Sequence, residues 1–267
     1  MIVTLLTDFG TSDYFVGAMK GAVLAANPRA QLVDITHEIP PQDIEAGAYT
    51  LLAAFDAFPA GTVHVAVVDP GVGSSRRAVA AEGGGHLFVG PDNGVFGHVY
   101  ERVAPLRVFH VTNESYFRPR ASETFHGRDV FAPVAGALAG GVRAEELGPE
   151  IEDFVRLSFA RPERGPEGTL VASIIHVDRF GNCVTNITRQ DLAEEAIKRG
   201  ARLLVGGREI RSFRRFFADE GDRHSEPFAV WGSAGFLELA VFRDSAARVL
   251  GAGRGQKVEV NLEPREG

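Results

Sequence analysis

Two short segments of the sequence carry an acid, a guanidinium and an imidazole in loops that adjoin apolar stretches. The first, residues 67–77, reads VVDPGVGSSRR and contains Asp69 and Arg76, and the second, residues 124–129, reads TFHGRD and contains His126. Glycines in both segments let the chain turn, which is how reactive side chains are commonly presented at the edge of a rigid scaffold. Side chains of these three types can orient, polarise and exchange protons with a bound small molecule.

Each of these residues also has an ordinary structural explanation. Asp69 in an Asp-Pro-Gly segment is a common turn former that accepts backbone N–H bonds. Arg76 and Arg77 also fit a solvated pair at the start of a strand, and His126 also fits a cap on the helix that follows it. The joint occurrence of the three chemistries, rather than any one residue, indicates a reactive site.

The composition and charge of the chain limit the kinds of partner that the protein can bind. The chain has 267 residues, 45% of them hydrophobic and 24% charged, with a formal net charge of -7 and no Lys/Arg-rich run. Nucleic acid and anionic membranes favour a concentrated positive face, so a small molecule is the expected partner. Cys183 is the only cysteine, which excludes an internal disulfide and fits a reducing compartment. We expect a cytoplasmic protein, because no apolar run approaches the ~18 residues of a membrane span.

The sequence predicts neither a nicotinamide cofactor nor a catalytic metal. Gly71 and Gly73 after a strand resemble the start of a dinucleotide fingerprint, but the third glycine is missing. None of the eight histidines forms an i,i+4 pair on a convincing helix face. We therefore expect no cofactor and no metal.

The first half of the chain alternates apolar strands with amphipathic helices, which is typical of a mostly parallel α/β sheet. Thr11 and Ser12 are candidate caps of the first helix. The predicted strands are residues 2–6, 31–35 and 63–68, and the predicted helices are residues 15–26, 44–55 and 128–138, the last one ended by Gly140 and Gly141.

The second half favours short strands separated by turns. Residues 161–168 mix charge with proline and glycine as linkers do, so we predict an N-terminal α/β domain of residues 1–160 and a smaller β domain of residues 161–267. The predicted strands of the second domain are residues 169–177, 202–205 and 236–242.

Five motifs occur in an order that resembles a known family. They are residues 6–10 (LTDFG), 69–77, 90–94 (GPDNG), 125–129 (FHGRD) and 178–182 (DRFGN). The chain resembles the S-adenosyl-L-methionine (SAM) hydroxide adenosyltransferases, which split SAM into adenosine and methionine and are related to fluorinating and chlorinating enzymes. The resemblance spans nearly the whole chain.

The resemblance implies a fold, an assembly and a catalytic group. The fold is a Rossmann-like N-terminal α/β domain followed by a C-terminal β-barrel-like domain, and the assembly is a homotrimer with sites between neighbouring subunits. The catalytic residues that it implies are Asp69, Arg76 and His126, with Arg77 as a neighbour. A metal-free site would need donors such as Arg76 and His126 to stabilise the hydroxide that forms from water. Whether Asp69 or His126 accepts the proton stays open.

The resemblance also implies contacts to the nucleoside and the methionine amine. Asp8, at the end of the first strand, would accept both ribose hydroxyls, or would serve as a turn or cap. Asp178 would hold the ammonium group, and Asn182 offers the donor and acceptor that an adenine edge requires. Both residues also fit a tight turn at Gly181. Phe180 would stack on adenine or pack in the barrel.

Three further residues follow from the same resemblance. Ser233 matches a serine near the methionine carboxylate, and Val241 matches a position that contacts adenine through its backbone. Glu238 is a carboxylate in an apolar strand, which is costly without a partner. Ala234 stands where the fluorinating relative has an arginine, so the cation that binds the methionine carboxylate is not identified.

Two alternatives to SAM hydrolysis fit parts of the same sequence pattern. A SAM-dependent halogenase would form 5′-halo-5′-deoxyadenosine, but the halogenating relatives have an aromatic residue in place of Asp69, and an anionic Asp69 would repel halide. A non-catalytic adenosine- or SAM-binding protein would keep the binding residues without turnover. The segment 211–226, rich in arginine and phenylalanine, is interpreted as a mobile or interfacial loop.

Overall fold

The computed structural model of the protein describes residues 1–119, 123–158, 160–165, 168–219 and 226–262. The chain divides into two compact units, Met1–Ser158 and Phe159–Gly267. In these described ranges no helix has the length and apolar character needed to cross a lipid bilayer. Pro166, Glu167 and residues 220–225, which belong to the predicted linker and to the 211–226 segment, lie outside the described residues.

The first unit is built on a six-stranded sheet. Its strands are β1 (Ile2–Thr7), β2 (Gln31–Thr36), β3 (Val63–Val67), β4 (Ala78–Gly83), β5 (His86–Pro91) and β6 (Leu106–His110). The strand order is β2-β1-β3-β5-β4-β6, and β2, β1, β3 and β5 pair in parallel. Only β4 runs antiparallel to its neighbours β5 and β6. The prediction of an α/β fold with a mostly parallel sheet is confirmed.

Helices cover both faces of this sheet. They are α1 (Phe15–Ala26), α2 (Ile44–Ala54), α3 (Gly97–Arg102) and α4 (Ala132–Ala139). Helices α1 and α4 pack together over β1 and β3 on one face, while α2 and α3 pack together with α2 over β1. Val63, Val65 and Val67 lie in the core shared with α1 and α4, as the period-2 alternation of a strand requires.

Two helix starts differ from the prediction. Tyr14 precedes α1 without a side-chain cap, and Thr11 instead donates a hydrogen bond to Glu38, so the capping prediction is wrong. The helix expected from residue 128 begins earlier, with a π-helical turn over Gly127–Phe131 that leads into α4. A wide turn of this kind is rare and frequently lies at a functional site.

The second unit is an almost entirely antiparallel sheet that curls as a half-barrel. Its strands are β7 (Glu163–Arg164), β8 (Thr169–Val177), β9 (Cys183–Thr188), β10 (Arg202–Val205), β11 (Arg208–Ile210), β12 (Phe213–Arg214), β13 (Phe228–Trp231), β14 (Phe236–Ala240) and β15 (Lys257–Asn261). The order is β11-β10-β15-β8-β9-β14-β13-β12, with β7 beside β8, and only β12 and β13 pair in parallel.

Two short helices, α5 (Glu194–Lys198) and α6 (Ala246–Leu250), complete the second unit. Its core is formed by alternate residues of the strands, among them Leu237 and Leu239 of β14. Glu238 lies between these two on the opposite face, as the alternation of the strand dictates. The expected small β domain is therefore present.

Candidate functional site

The first group of candidate residues lies at the carboxyl end of β3. Asp69 has the same parity as Val63, Val65 and Val67, so its carboxylate is directed to the face that α4 covers. His126 directly precedes the π-helical turn that leads into α4. The sheet and the helix therefore bring an acid and an imidazole to one edge, where open α/β sheets bind ligands.

Arg76 joins these two residues. Its Nε donates to both carboxylate oxygens of Asp69 at 3.0 Å, and its Nη2 makes a short contact to Oδ2. The same Nη2 lies 2.8 Å from Nδ1 of His126. The Arg76 and Asp69 side chains are only 10% and 5% exposed, and the guanidinium lies 5.2 Å from the centre of the Phe131 ring. The structure thus places Arg76 in direct contact with both of the other predicted catalytic residues.

The loop between Asp69 and Arg76 turns on two glycines. Gly73 has a φ of +78°, a conformation that glycine adopts without strain. Gly71 accepts a hydrogen bond from the Ser74 hydroxyl at 2.7 Å, and the Ser74 oxygen in turn accepts from the backbone N–H of Arg76 at 3.3 Å. This turn returns the chain so that Arg76 faces Asp69.

The contact to Arg76 fixes the chemistry of the imidazole. A guanidinium can only donate hydrogen bonds, so Nδ1 of His126 must accept and must carry no proton. In this arrangement the imidazole is neutral, with its proton on Nε2. Arg76 and His126 therefore both present N–H donors, while Asp69 supplies the negative charge.

Arg77 belongs to a different network. Its Nε donates to Asp92 at 2.9 Å, and its two terminal nitrogens donate to the Asp153 carboxylate at 2.7 Å and to the Asp153 carbonyl at 2.8 Å. Hydrogen bonds with these acidic partners raise the pKa of Arg77. Because neighbouring side chains of an extended segment point in opposite directions, only Arg76 reaches Asp69.

Asp8 lies at the carboxyl end of β1. By the alternation of the strand, it belongs to the face of the sheet that α2 covers. Its Oδ2 accepts a hydrogen bond from the backbone N–H of Gln42 at 2.8 Å, and Gln42 has an unusual φ of +66°. No direct contact joins Asp8 to Asp69, Arg76 or His126 among the residues described. The two groups are instead linked through aromatic rings.

The aromatic link is formed by Phe9, Phe15 and Phe125. Phe9 directly follows Asp8, and Phe125 directly precedes His126. The ring centres of Phe9 and Phe125 lie 5.9 Å apart, and Phe15 lies within 5.7 Å of both. A Cβ on Gly127 would come 3.1 Å from the sulfur of Met19 and 3.3 Å from the Phe125 ring. Close packing at this glycine therefore holds the His126 loop against the aromatic cluster.

The second group of candidate residues lines one cavity of about 800 Å³ in the second unit. A cavity of this size accommodates a ligand as large as a nucleoside with a side chain. All six candidates from this unit line it, namely Asp178, Phe180, Asn182, Ser233, Glu238 and Val241.

Asp178 and Asn182 form a tight turn on the cavity wall. The Asp178 carboxylate accepts from the backbone N–H groups of Phe180 at 2.9 Å and Asn182 at 2.8 Å, and from the Asn182 amide at 2.8 Å. Gly181 has a φ of +82°, and a Cβ there would collide with Ser245. The turn that the sequence offered as an alternative role is present, and it uses the Asn182 amide N–H but not its oxygen.

The side chains of Phe180, Ser233 and Glu238 make no hydrogen bond with the part of the chain that the structure describes. Phe180 is 78% exposed, so it does not pack in the barrel core. Burial and, to a lesser degree, the negative charge of Asp178 raise the pKa of Glu238. In the described part of the chain the Glu238 carboxylate makes no hydrogen bond or ion pair.

Sequence reasoning missed four residues at these sites. Phe131 packs beside the Arg76 guanidinium, and the Asn93 amide donates to the carbonyl of Val68 at 2.8 Å, next to Asp69. Gln42 and Arg243 have positive φ, and Arg243 lines the cavity. Asn93 lies in the GPDNG motif and was therefore detectable, but the other three carry no sequence signal. Across the described ranges, no three His, Cys, Asp or Glu side chains are grouped to hold a metal ion.

Comparisons with known proteins address the same two units. The model of the SAM hydroxide adenosyltransferase N-terminal domain matches residues 3–148, and that of the C-terminal domain matches residues 172–259. An (R)-S-adenosyl-L-methionine hydrolase of Thermus thermophilus is 41% identical over 97% of this chain and 98% of that protein. A fluorinase of an Actinoplanes species is 30% identical over 90% of each chain.

A solved structure extends the likeness to the fold. The uncharacterized conserved protein from Thermotoga maritima superposes with a TM-score of 0.88 and 35% identity, over 97% of this chain and 99% of that one. Both domain models match in chain order and together cover most of the sequence. The chain therefore belongs to the SAM hydroxide adenosyltransferase family.

Proposed function

We propose that this protein hydrolyses S-adenosyl-L-methionine to adenosine and L-methionine. The observation that carries the proposal is the contact of Arg76 with both Asp69 and His126, in a chain 41% identical to a named (R)-S-adenosyl-L-methionine hydrolase. That name also specifies the (R) configuration at sulfur, and we propose the same epimer as the substrate here.

The reaction is an in-line displacement at C5′. The oxygen of a water molecule bonds to C5′ while the C5′–S bond breaks, and the electron pair of that bond returns to sulfur as the thioether of methionine. One proton is released from the attacking oxygen. The sulfonium is itself the leaving group, so the proposal uses no cofactor, and the protein has to align the water and exclude competing solvent.

Arg76 and His126 polarise the attacking water. Both present N–H groups at a site where the Arg76 side chain is only 10% exposed, and donors fixed in a poorly solvated site stabilise developing negative charge more strongly than donors in water. As the oxygen approaches C5′ it acquires hydroxide character, which these donors favour.

Asp69 is the base of the three, because the other two residues are donors. A carboxylate bound to a guanidinium is a weak base, but the oxygen becomes a strong acid once it has bonded to C5′, so a weak base suffices. Arg76 also fixes the orientation of the carboxylate through its contacts to both oxygens. This assignment leaves His126 as a donor rather than a general base.

The remaining candidates bind the substrate. Asp8, with one oxygen on the Gln42 N–H, accepts the ribose hydroxyls with its free lone pairs. In the cavity of the second unit, the exposed ring of Phe180 stacks on adenine, and the Asn182 oxygen accepts from the adenine amino group. Val241 contacts adenine through its backbone.

The methionine part of the substrate is bound by polar groups of the same cavity. Ser233 contacts the carboxylate through its hydroxyl. Asp178 and Glu238 give this region negative charge, which attracts the ammonium group. Asp178 acts through its field rather than through a direct bond, because its carboxylate holds the turn.

Halogenation is the second candidate function, and two observations disfavour it. The similarity to a fluorinase is 30%, against 41% for the hydrolase. The Asp69 carboxylate would also lie beside the attacking halide and repel it. A binding protein without turnover is disfavoured because Asp69, Arg76 and His126 are all in contact.

The deciding experiment is incubation of the protein with each SAM epimer in water enriched in oxygen-18, with chloride present. Hydrolysis of the (R) epimer with the label in the adenosine 5′-hydroxyl supports the proposal. Label elsewhere refutes the attack at C5′, and 5′-chloro-5′-deoxyadenosine identifies a halogenase. Binding of SAM without any product, at high protein concentration, identifies a binding protein.

We further propose a homotrimer with sites at the subunit interfaces, and a cytoplasmic location. Large exposed rings accompany both groups of candidates. Tyr14 is 67% exposed and its ring lies 6.5 Å from that of Phe125, which precedes His126, and Phe180 is 78% exposed in the cavity wall. Exposed apolar side chains beside a binding site support its completion by another surface. Cys183 is a buried free cysteine, which supports a reducing compartment.

A further inference from the structure

A series of polar contacts in the first unit ends at the residue before Asp8. The hydroxyl of Thr7, the last residue of β1, lies 2.8 Å from Nδ1 of His37. The other ring nitrogen of His37, Nε2, lies 3.0 Å from Oδ1 of Asp34. The Lys20 ammonium donates to Oδ2 of Asp34 at 2.6 Å. Thr7 and His37 are buried, whereas Asp34 and Lys20 are partly exposed, so the contacts lead from the surface into the core.

The chemistry of the groups fixes the direction of these contacts. A carboxylate only accepts hydrogen bonds, so the His37 nitrogen that faces Asp34 carries a proton. In the neutral ring Nδ1 is then an acceptor, and the Thr7 hydroxyl donates to it. The same Thr7 oxygen accepts from the backbone N–H of Phe9 at 3.2 Å. Hydrogen bonds that follow one another in a single direction polarise and strengthen each other.

The same two residues, Thr7 and His37, hold the backbone that follows Asp8. The N–H of Phe9 is bound by the Thr7 hydroxyl, and the N–H of Gly10 donates to the carbonyl of His37 at 2.7 Å. Asp8 itself follows Thr7 directly in the chain. The direction of the Asp8 carboxylate therefore depends on a backbone that Thr7 and His37 fix.

We propose that Thr7 and His37 are positioning residues for the contact of Asp8 with ribose. This inference rests on the proposed function, in which the Asp8 carboxylate accepts the ribose hydroxyls. Both residues act through the backbone around Asp8, and neither contacts the substrate. A carboxylate discriminates neighbouring hydroxyls only while its oxygens are held in the required geometry. Loss of the Thr7 hydroxyl should therefore weaken the recognition of the ribose hydroxyls specifically.

A second threonine–histidine pair in the same strand provides a matched control. The hydroxyl of Thr4 lies 2.8 Å from Nδ1 of His64, and Thr4 is as fully buried as Thr7. By the alternation of the strand, Thr4 lies on the opposite face of the sheet from Thr7. Removal of the Thr4 hydroxyl breaks the same kind of buried contact without altering the hydrogen bonds around Asp8.

The test uses adenosine, 2′-deoxyadenosine and 3′-deoxyadenosine as probes, because their binding requires no turnover. Calorimetry measures the affinity of each probe for the wild type, Thr7→Val, Thr7→Ser and Thr4→Val. We expect the wild type to prefer adenosine over each deoxy form by about 10- to 100-fold, which corresponds to one hydrogen bond to a charged group. Valine has nearly the shape of threonine but no hydroxyl, so Thr7→Val should reduce this preference by about 3- to 10-fold. Thr7→Ser and Thr4→Val should retain it.

Two substitutions of His37 test the ring separately. The side chain of His37→Asn places an amide oxygen near the position of Nδ1 and keeps an acceptor for Thr7. The side chain of His37→Gln reaches toward Asp34 instead and leaves Thr7 without that acceptor. His37→Gln should therefore reduce the ribose preference as Thr7→Val does, and His37→Asn should retain more of it. Thermal unfolding of each variant reports whether it is folded, and the His37 variants decide the question if Thr7→Val is not.

Three results would overturn the positioning role. The first is an unchanged ribose preference in folded Thr7→Val. The second is an equal loss of affinity for adenosine and both deoxy forms, because that pattern reports general damage to the binding site. The third is the same loss of preference in Thr4→Val, because the effect would then come from the packing of the strand.

Failure of the proposed reaction gives a different result. If the wild type leaves SAM intact, the reaction falls, while the adenosine probes still decide the positioning role. If the wild type hydrolyses SAM but binds adenosine and its deoxy forms equally, the reaction stands and the positioning role falls.

Discussion

Arg76 and Arg77 are neighbours in the chain with separate partners. Arg76 contacts Asp69 and His126, whereas Arg77 ties the start of β4 to Asp92 and Asp153. Substituting each arginine in turn therefore separates the proposed catalytic contribution of Arg76 from the structural contribution of Arg77.

For Arg76→Lys we predict a fall in kcat of about 100- to 1,000-fold, with only a modest change in substrate affinity. Lysine keeps the charge but lacks the planar fork that contacts Asp69 and His126 together. A donor that acts on the transition state affects kcat most. Steady-state kinetics with SAM measures the split between kcat and KM.

Arg77→Lys is the matched control. It should lower the melting temperature, because it weakens the contacts to Asp92 and Asp153, and should leave the kcat of the folded protein close to that of the wild type. If the two variants lose kcat equally, the assignment of Arg76 to the reacting atoms is wrong.

The residue types at the site could be predicted from the sequence, but not every hydrogen-bond or ion-pair partner of these residues could. The motifs identified Asp69, Arg76 and His126 because the types of these residues and their order can be read directly from the sequence. The turn that satisfies Asp178 is local and was one of the two roles that the sequence left open, whereas the lack of a hydrogen-bond partner for the Arg243 side chain in the described ranges depends on tertiary distances. No local pattern around Arg243 distinguishes it from the other exposed arginines of the chain.

At the scale of elements, the turn between β8 and β9 positions two cavity residues, Phe180 and Asn182. Its central residue, Gly181, has a positive φ and faces Ser245. For Gly181→Ala we predict a loss of unfolding free energy of about 2–5 kcal/mol, from the strained backbone and the collision together. Denaturant unfolding measures the loss.

Gly207→Ala is the control for backbone strain. Gly207 has a φ of +79°, and nothing lies within 4 Å of the position that its Cβ would occupy. This variant should cost only the strain, about 1–2 kcal/mol. Equal costs for the two variants would show that contact with Ser245 does not constrain the turn.

A second element-scale prediction concerns the buried histidine pair that joins β1, β3 and β5. His64 lies 2.8 Å from the Thr4 hydroxyl and 3.1 Å from His86. Burial, together with the charge of His86, lowers the pKa of His64 to about 3. The folded state therefore keeps His64 neutral at a pH where the unfolded chain takes up a proton.

The sign of the linkage follows directly. Above the unfolded pKa of about 6.5, His64 does not lower the free energy of unfolding. As pH falls from there toward the folded pKa, the free energy of unfolding decreases by up to ~1.4 kcal/mol per pH unit. In His64→Gln, unfolding free energy measured from pH 7.5 to 5 should fall by about 2 kcal/mol less than in the wild type. Parallel pH profiles would contradict the prediction.

Elements were predictable where their apolar pattern was strong. The buried run of β3 and the alternation in β8 both gave the observed strands, because burial on two faces or on one leaves a direct trace in the sequence. The β4–β5 hairpin was missed, since β4 reads AVAAEG and has few large apolar residues. The π-helical turn before α4 was missed because its extra residue depends on tertiary packing.

At the scale of the whole molecule, the candidate residues are divided between two compact units. The proposed catalytic residues Asp69, Arg76 and His126 belong to the first unit, and the cavity with Phe180 and Asn182 belongs to the second. The proposed trimer combines the first unit of one subunit with the second unit of its neighbour. That arrangement makes a prediction that a site within a single chain does not.

We predict that two inactive variants restore activity when they are mixed. Arg76→Ala disables the first unit, and the double variant Phe180→Ala/Asn182→Ala disables the cavity of the second. After co-refolding in equal amounts, a site shared between subunits has an intact half from each partner in about one quarter of cases, by random assortment in a closed ring. SAM hydrolysis should therefore return to about a quarter of the wild-type rate per site.

A site formed within one chain would give no recovery, because every chain in the mixture carries a defect. Sedimentation analysis of the same sample supplies the independent readout, since a trimer should be present before and after mixing. A trimer without recovered activity would leave the assembly in place and refute the sharing of sites. A monomer with full activity in the wild type would refute both, because one chain would then contain everything that the reaction requires.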